Sequence, residues 1–97
     1  MSLDDRVDMA LSELVPPTAS VRVEVISHDS THDVLSFIEL KEDLSPTGLQ
    51  ALLQDIRRCF SDLRQLQPEE PCLKSWSAYI EWRGTRVAST SALDRAR

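Results

Sequence analysis

The chain has 97 residues, 41% of them hydrophobic and 28% charged, with a formal net charge of -5. A chain of this length makes one domain and buries roughly 60 to 65% of its unfolded surface, which leaves little room for an active site set deep inside several supporting shells. No apolar run approaches the roughly 20 residues of a membrane span, and the opening Met-Ser-Leu-Asp-Asp-Arg has no secretion-signal pattern, so the expected compartment is the cytosol.

Ser2-Leu-Asp-Asp5 has the form of a capping box, and Leu3, Val7, Ala10, Leu11 and Leu14 follow at helical spacing until Pro16-Pro17 stops the run. The spacing predicts a helix over 3–14 with a narrow apolar stripe, a covering helix and not a central one. Val21, Val23 and Val25 then alternate with Arg22 and Glu24, which predicts a half-buried strand over 20–27. After the polar loop Ser27-His-Asp-Ser-Thr-His-Asp33, a second strand is predicted over 33–41, close enough to the first to pair as a hairpin. Val34, Ile38 and Leu40 share one face of it, and Leu35 and Phe37 share the other; a strand with a single buried face needs only one such set.

Ser45-Pro46 opens the strongest element, a capping hydroxyl followed by proline at the first helical position. Leu49, Leu52, Leu53, Ile56, Phe60 and Leu63 form its stripe and Arg57 and Arg58 lie opposite, which predicts a helix over 46–66 ended by Pro68 and Pro71. Between Leu73 and Arg83 large and small side chains alternate: Trp76, Ala78, Ile80 and Trp82 on one face, Ser75, Ser77, Tyr79 and Glu81 on the other. A strand over 73–83, a tight turn at Gly84, a short return strand over 85–89 and a flexible tail over 90–97 complete the expectation. The whole chain is then a single α+β domain: a small antiparallel sheet of three to four strands, a long amphipathic helix across one face and a shorter N-terminal helix. The valines, Val34, Ile38, Leu40, Trp76, Ile80 and Trp82 supply the broad apolar seat that the long helix requires.

Chemistry-bearing residues are few. His28 and His32, with Asp29 and Asp33, are the weak candidates for a metal or a proton relay, but their spacing suits a helix and the segment reads as a loop. Cys59 and Cys72 lack a Cys-x-x-Cys spacing and read as partly buried thiols; zinc would need two further ligands. Gly48 and Gly84 are the only glycines, so there is no phosphate-cradling loop, and no cofactor is expected. Cations never run longer than Arg57-Arg58, which argues against nucleic acid as a partner, and nothing in the sequence suggests a membrane.

The second sheet face remains, where Leu35, Phe37 and Tyr79 are flanked by Arg22, Glu24, Glu39 and Glu81, apolar anchors inside a charged rim. Two readings stand for it. The N-terminal helix covers it, or it is an interface, and both hold if the helix covers half. The expected function is a small acidic interaction module without enzymatic activity, such as an inhibitor, immunity factor, chaperone or complex subunit. It would bind a protein partner, or a second copy of itself as a homodimer, through Leu35, Phe37, Tyr79, Arg22, Glu39 and Glu81. The alternatives are a small metal-dependent enzyme or regulator using His28 and His32, and an acidic DNA mimic whose carboxylates align in a stripe.

Overall fold

Residues 3–27, 31–66 and 72–92 are described by a computed structural model of the protein. Helix α1 spans Leu3–Leu14 with Asp4 and Asp5 in its first turn, where carboxylates suit the positive end of the helix dipole. Strands β1 (Ser20–Ser27) and β2 (Thr31–Leu40) follow, then helix α2 (Pro46–Leu66), and strands β3 (Cys72–Trp82) and β4 (Thr85–Ser91). At the start of α2 the Ser45 hydroxyl accepts the Gly48 amide at 3.1 Å, so the predicted cap satisfies one of the orphan donors of the first turn.

The fold is α+β: the described residues form two helices and a four-stranded sheet in the order β1-β2-β3-β4. The outer pairs, β1 with β2 and β3 with β4, are antiparallel, but the central pair β2 with β3 is parallel. The sheet is therefore mixed and not wholly antiparallel as predicted. The reason is the 21 residues of α2. At about 1.5 Å per residue they span about 30 Å, close to the length of β2 at about 3.3 Å per residue, so the chain returns to the end where β2 began. A strand that starts there can only run alongside β2 in the same direction.

Three strands differ in their bounds from the prediction. Strand β2 begins at Thr31, because His32 and Asp33 pair with Ser27 and Ile26, and it ends at Leu40 before Lys41. β3 begins at Cys72 and ends at Trp82, because Arg83 and Gly84 are the turn. β4 continues to Ser91, so Thr90 and Ser91 are strand and not tail: Thr90 is buried and its hydroxyl accepts from Arg57 Nη1 at 2.8 Å. Arg57 is accordingly half-buried against β4, not on a purely solvated helix face. Ser2, His28, Asp29 and the last five positions of the predicted tail, 93–97, lie outside the described residues.

The core is one layer between the sheet and both helices. Val34, Ile38 and Leu40 of β2 and Trp76, Ala78 and Ile80 of β3 are buried beneath Leu52, Ile56, Phe60 and Leu63 of α2 and Val7 and Leu11 of α1. Val21, Val23 and Val25 on the outer strand are half-buried and pack on that core. Phe60 stacks on Trp76 with ring centroids 4.6 Å apart and planes 6° from parallel, which fixes the long helix on the sheet. Two buried polar atoms near this layer, Ser36 Oγ and Trp76 Nε1, have no hydrogen-bond partner among the described residues. For Trp76 the loss accompanies the stack; for Ser36 nothing in the structure offsets it.

The β3–β4 turn has positive φ at both Arg83 (55°) and Gly84 (78°), the requirement of a two-residue type I′ hairpin. Arg83 accepts this uncommon backbone while its guanidinium lies 4.6 Å from the centroid of the Trp82 ring.

Three expected outcomes follow from this packing and from the turn, all readable by urea denaturation. Phe60→Ala should remove about 3 to 5 kcal/mol of stability, while Ser36→Ala should cost none and gain up to about 1 kcal/mol by deleting a buried hydroxyl without a partner. Gly84→Ala should lose about 1 to 2 kcal/mol through φ alone, because a Cβ at that position meets nothing within 4 Å; unchanged stability would contradict the turn geometry.

Candidate functional site

Strand alternation decides which residues meet on the far side of the sheet. The register pairs Arg22 with Phe37, Glu24 with Leu35, Phe37 with Tyr79 and Glu39 with Glu81, so these side chains share the face opposite the helices. Both α1 and α2 pack on the other side, with Val7 and Leu11 of α1 fully buried in the same core as α2. The N-terminal helix therefore does not cover Leu35, Phe37 and Tyr79, and no described element does.

The predicted residues form a row. Phe37 and Tyr79 stack across the central parallel pair with centroids 5.5 Å apart and planes 24° from parallel. Arg22 from β1 lies over Phe37, 4.4 Å from its centroid, and Arg86 from β4 lies over Tyr79 at 4.2 Å. The row Arg22, Phe37, Tyr79, Arg86 thus crosses all four strands, one residue from each. Each guanidinium on a ring at an exposed site contributes about 0.5 to 1 kcal/mol, and the ring pair about 0.5 to 1.5 kcal/mol beyond its buried area. Phe37 and Tyr79 are half-buried, screened in part by the arginines, and Leu35 is half-buried as well.

Around the row the carboxylates of Glu24, Asp33, Glu39 and Glu81 outnumber the guanidiniums of Arg22 and Arg86. Arg22 Nη1 sits 3.4 Å from Glu24 Oε1 and Lys41 Nζ 2.6 Å from Glu39 Oε1, both exposed pairs of little energetic worth. Ser75 donates to Asp33 at 2.8 Å, tying β3 to β2 at one end of the face. A shallow depression of about 310 Å³ opens beside the row, with Arg22, Phe37, Glu39 and Glu81 among its lining residues. All six predicted binding residues thus lie on one uncovered surface.

Arg86 was not among them. Its signal was present in the hairpin: a two-residue turn at Arg83-Gly84 sets Arg86 opposite Glu81, on the face of Tyr79. The irregular step comes one residue later, where the register shifts between Ile80 and Glu81 and Ala88, not Val87, pairs with Ile80. Val87 is left exposed by that bulge.

The other candidates are dispersed. His32 Nδ1 is 3.0 Å from Ser27 Oγ across the β1–β2 pair, and among the described residues no group of three His, Cys, Asp or Glu could hold a metal ion. The α1 acids Asp4, Asp5, Asp8 and Glu13 sit in the helix layer, on the opposite side of the sheet from Glu24, Glu39 and Glu81. Cys59 is a free thiol in an open groove of about 330 Å³ between α1 and α2, beside Glu13, Asp55, Arg58 and Asp62. Burial, with the carboxylates of Asp62 and Glu13, pushes it up from 9.0 to about 11. Among the described residues no helix is long and apolar enough to cross a membrane. Comparison of the chain with protein-family models, with curated proteins and with solved structures gives no match.

The displaced thiol titration has a measurable sign. At pH 8 the thiolate fraction of Cys59 is about a hundredfold below that of a thiol at the ordinary value, so alkylation in a Cys72→Ser background should be slow and should accelerate up to about pH 11. Between pH 9.0 and about 11 the unfolded thiol ionises while the folded one stays protonated, so the folded state binds more protons and stability falls as pH rises through that window. Rapid alkylation at neutral pH would refute the assignment.

Proposed function

We propose that the protein is a small non-enzymatic interaction module, in the manner of an inhibitor, immunity factor, chaperone or complex subunit, and that it grips a protein partner with the open face of its sheet. The observation that carries this reading is the bare face itself: both helices pack on one side, and the other holds a stacked aromatic pair that no described element covers. A fold that needed only stability would place polar residues there, as it does at Ser75, Ser77 and Ser89.

The rim indicates the chemistry of the partner. Glu24, Glu39 and Glu81 surround Leu35, Phe37 and Tyr79, and the chain as a whole carries a net charge of -5. A surface with an apolar or aromatic centre and basic surroundings complements it, and long-range attraction would speed the encounter. Arg22 and Arg86, already ordered on the rings, offer donors to backbone carbonyls or carboxylates of the partner with little further loss of side-chain freedom.

The test is affinity capture from the native cell with quantitative mass spectrometry, comparing the wild-type chain with Phe37→Glu and Tyr79→Ala. Each variant should retain its circular dichroism and a cooperative melt, lowered by the lost ring contacts but still well above the capture temperature, and lose about tenfold or more of one specific captured protein, the effect of truncating a central anchor. Equal capture by all three would remove the open face from consideration.

A further inference from the structure

The two edges of the sheet differ. β4 is broken by the bulge at Val87, one of the devices that turn an edge away from other strands. β1 has no such bulge: its eight residues pair with β2 without a register shift, it contains neither proline nor lysine, α1 packs against it from the core side, and among the described residues no strand lies on its outer side. We propose that this edge is the interface between two copies of the chain, with β1 pairing antiparallel with β1 of a second copy to give one continuous sheet.

Symmetry and charge select the register. A twofold axis perpendicular to a sheet keeps each side chain on its own face, so residues set opposite one another are separated by an even number of positions and the axis passes through a residue. An axis at Arg22 sets that arginine against itself, and an axis at Glu24 does the same to the carboxylate. An axis at Val23 sets Arg22 opposite Glu24 of the second copy and Glu24 opposite its Arg22, two attractive pairs on the open face. On the core face it sets Val21 opposite Val25 and Val23 opposite Val23, and Ser20 through Ile26 all find partners. Axes further along the strand leave much of it unpaired. The sequence Val-Arg-Val-Glu-Val is complementary to itself about its centre in this register alone.

The isolated chain has these side chains ready. Arg22 and Glu24 are 68% and 52% exposed and are 3.4 Å apart across two positions of one strand, a pair that can be shared with the opposing copy without burying an unpartnered charge. Ile26, 47% exposed at the end of the strand, gains cover against Ser20 of the second copy. Dimerisation here leaves Phe37 and Tyr79 uncovered, so this inference does not rest on the open-face reading of the function.

Sedimentation equilibrium of the full chain across a concentration series is the first measurement, and it should show a monomer–dimer equilibrium. Arg22→Glu alone and Glu24→Arg alone each set like charges opposite one another, and each should weaken dimerisation about tenfold or more while the monomer stays folded, Arg22→Glu melting slightly lower for the lost contact with Phe37. Mixing the two variants should restore association as a heterodimer, because the two carboxylates of one strand then face the two guanidiniums of the other. The double variant, with the charges exchanged between the two positions, should dimerise with itself. Phe37→Glu should leave the dimer intact. A wild-type chain that is monomeric at every concentration overturns the inference, and so does a dimer that is indifferent to both charge reversals or is not rescued by mixing.

Discussion

The parallel pairing of β2 with β3 is the constraint on which the rest of the structure depends. Two adjacent strands running the same way must be joined by a chain that crosses from one end of the sheet to the other, and α2 makes that crossing on one side. A helix about 10 Å across covers roughly two strands set about 4.8 Å apart, so α2 alone cannot shelter four. The remaining apolar surface of β1 lies on the same side, and α1 lies there beside α2 with Val7 and Leu11 buried. One side of the sheet is then occupied by helices, and among the described residues no helix covers the other.

What the bare side carries follows from its position over the central strands. Leu35, Phe37 and Tyr79 lie on β2 and β3, and the outer strands contribute Arg22 and Arg86, whose guanidiniums lie on the aromatic faces. The arginines make the surface tolerable in water without hiding it, since a guanidinium on a ring covers apolar area while keeping its donors outward. By contrast, the groove between the helices holds a thiol whose burial and acidic neighbours push its titration up to about 11, so its thiolate is scarcer still than that of an ordinary cysteine.

Much of the architecture was legible because the breaking signals are local. Ser45-Pro46, Pro16-Pro17 and Gly84 are breaking signals that need no tertiary information, and both helices have the predicted limits; these signals do not show that Arg83 shares the turn with Gly84. The alternation of Trp76, Ala78, Ile80 and Trp82 against Ser75, Ser77, Tyr79 and Glu81 sorted the two faces correctly because side-chain period in a strand is fixed by the backbone. Strand direction was not legible in that alternation, which is the same read either way; the length of α2 held the information instead. Likewise the stripe of Val7 and Leu11 fits either face of a sheet, and only its packing beside α2 decides between them. Thr90 reads as a tail residue because its burial depends on Arg57, thirty-three positions away. Arg86 was legible only through the hairpin register: its short polar return strand carries too little pattern by itself, and the two-residue turn is what sets it on the face of Tyr79.

The central seam has a further meaning in terms of chain entropy. β1 with β2 and β3 with β4 are hairpins whose partners are close in sequence, whereas Ser75 and Asp33, bonded across the seam, are 42 positions apart. Closing so long a loop costs only about 0.6 kcal/mol more for each doubling of its length, but none of it is recovered until β2 and β3 align. Helix α2 shortens that search, since an ordered rod of about the strand's own length delivers β3 to the end of β2 where pairing begins. The crossover that leaves one face of the sheet bare is thus also the element that brings its two halves within reach of each other.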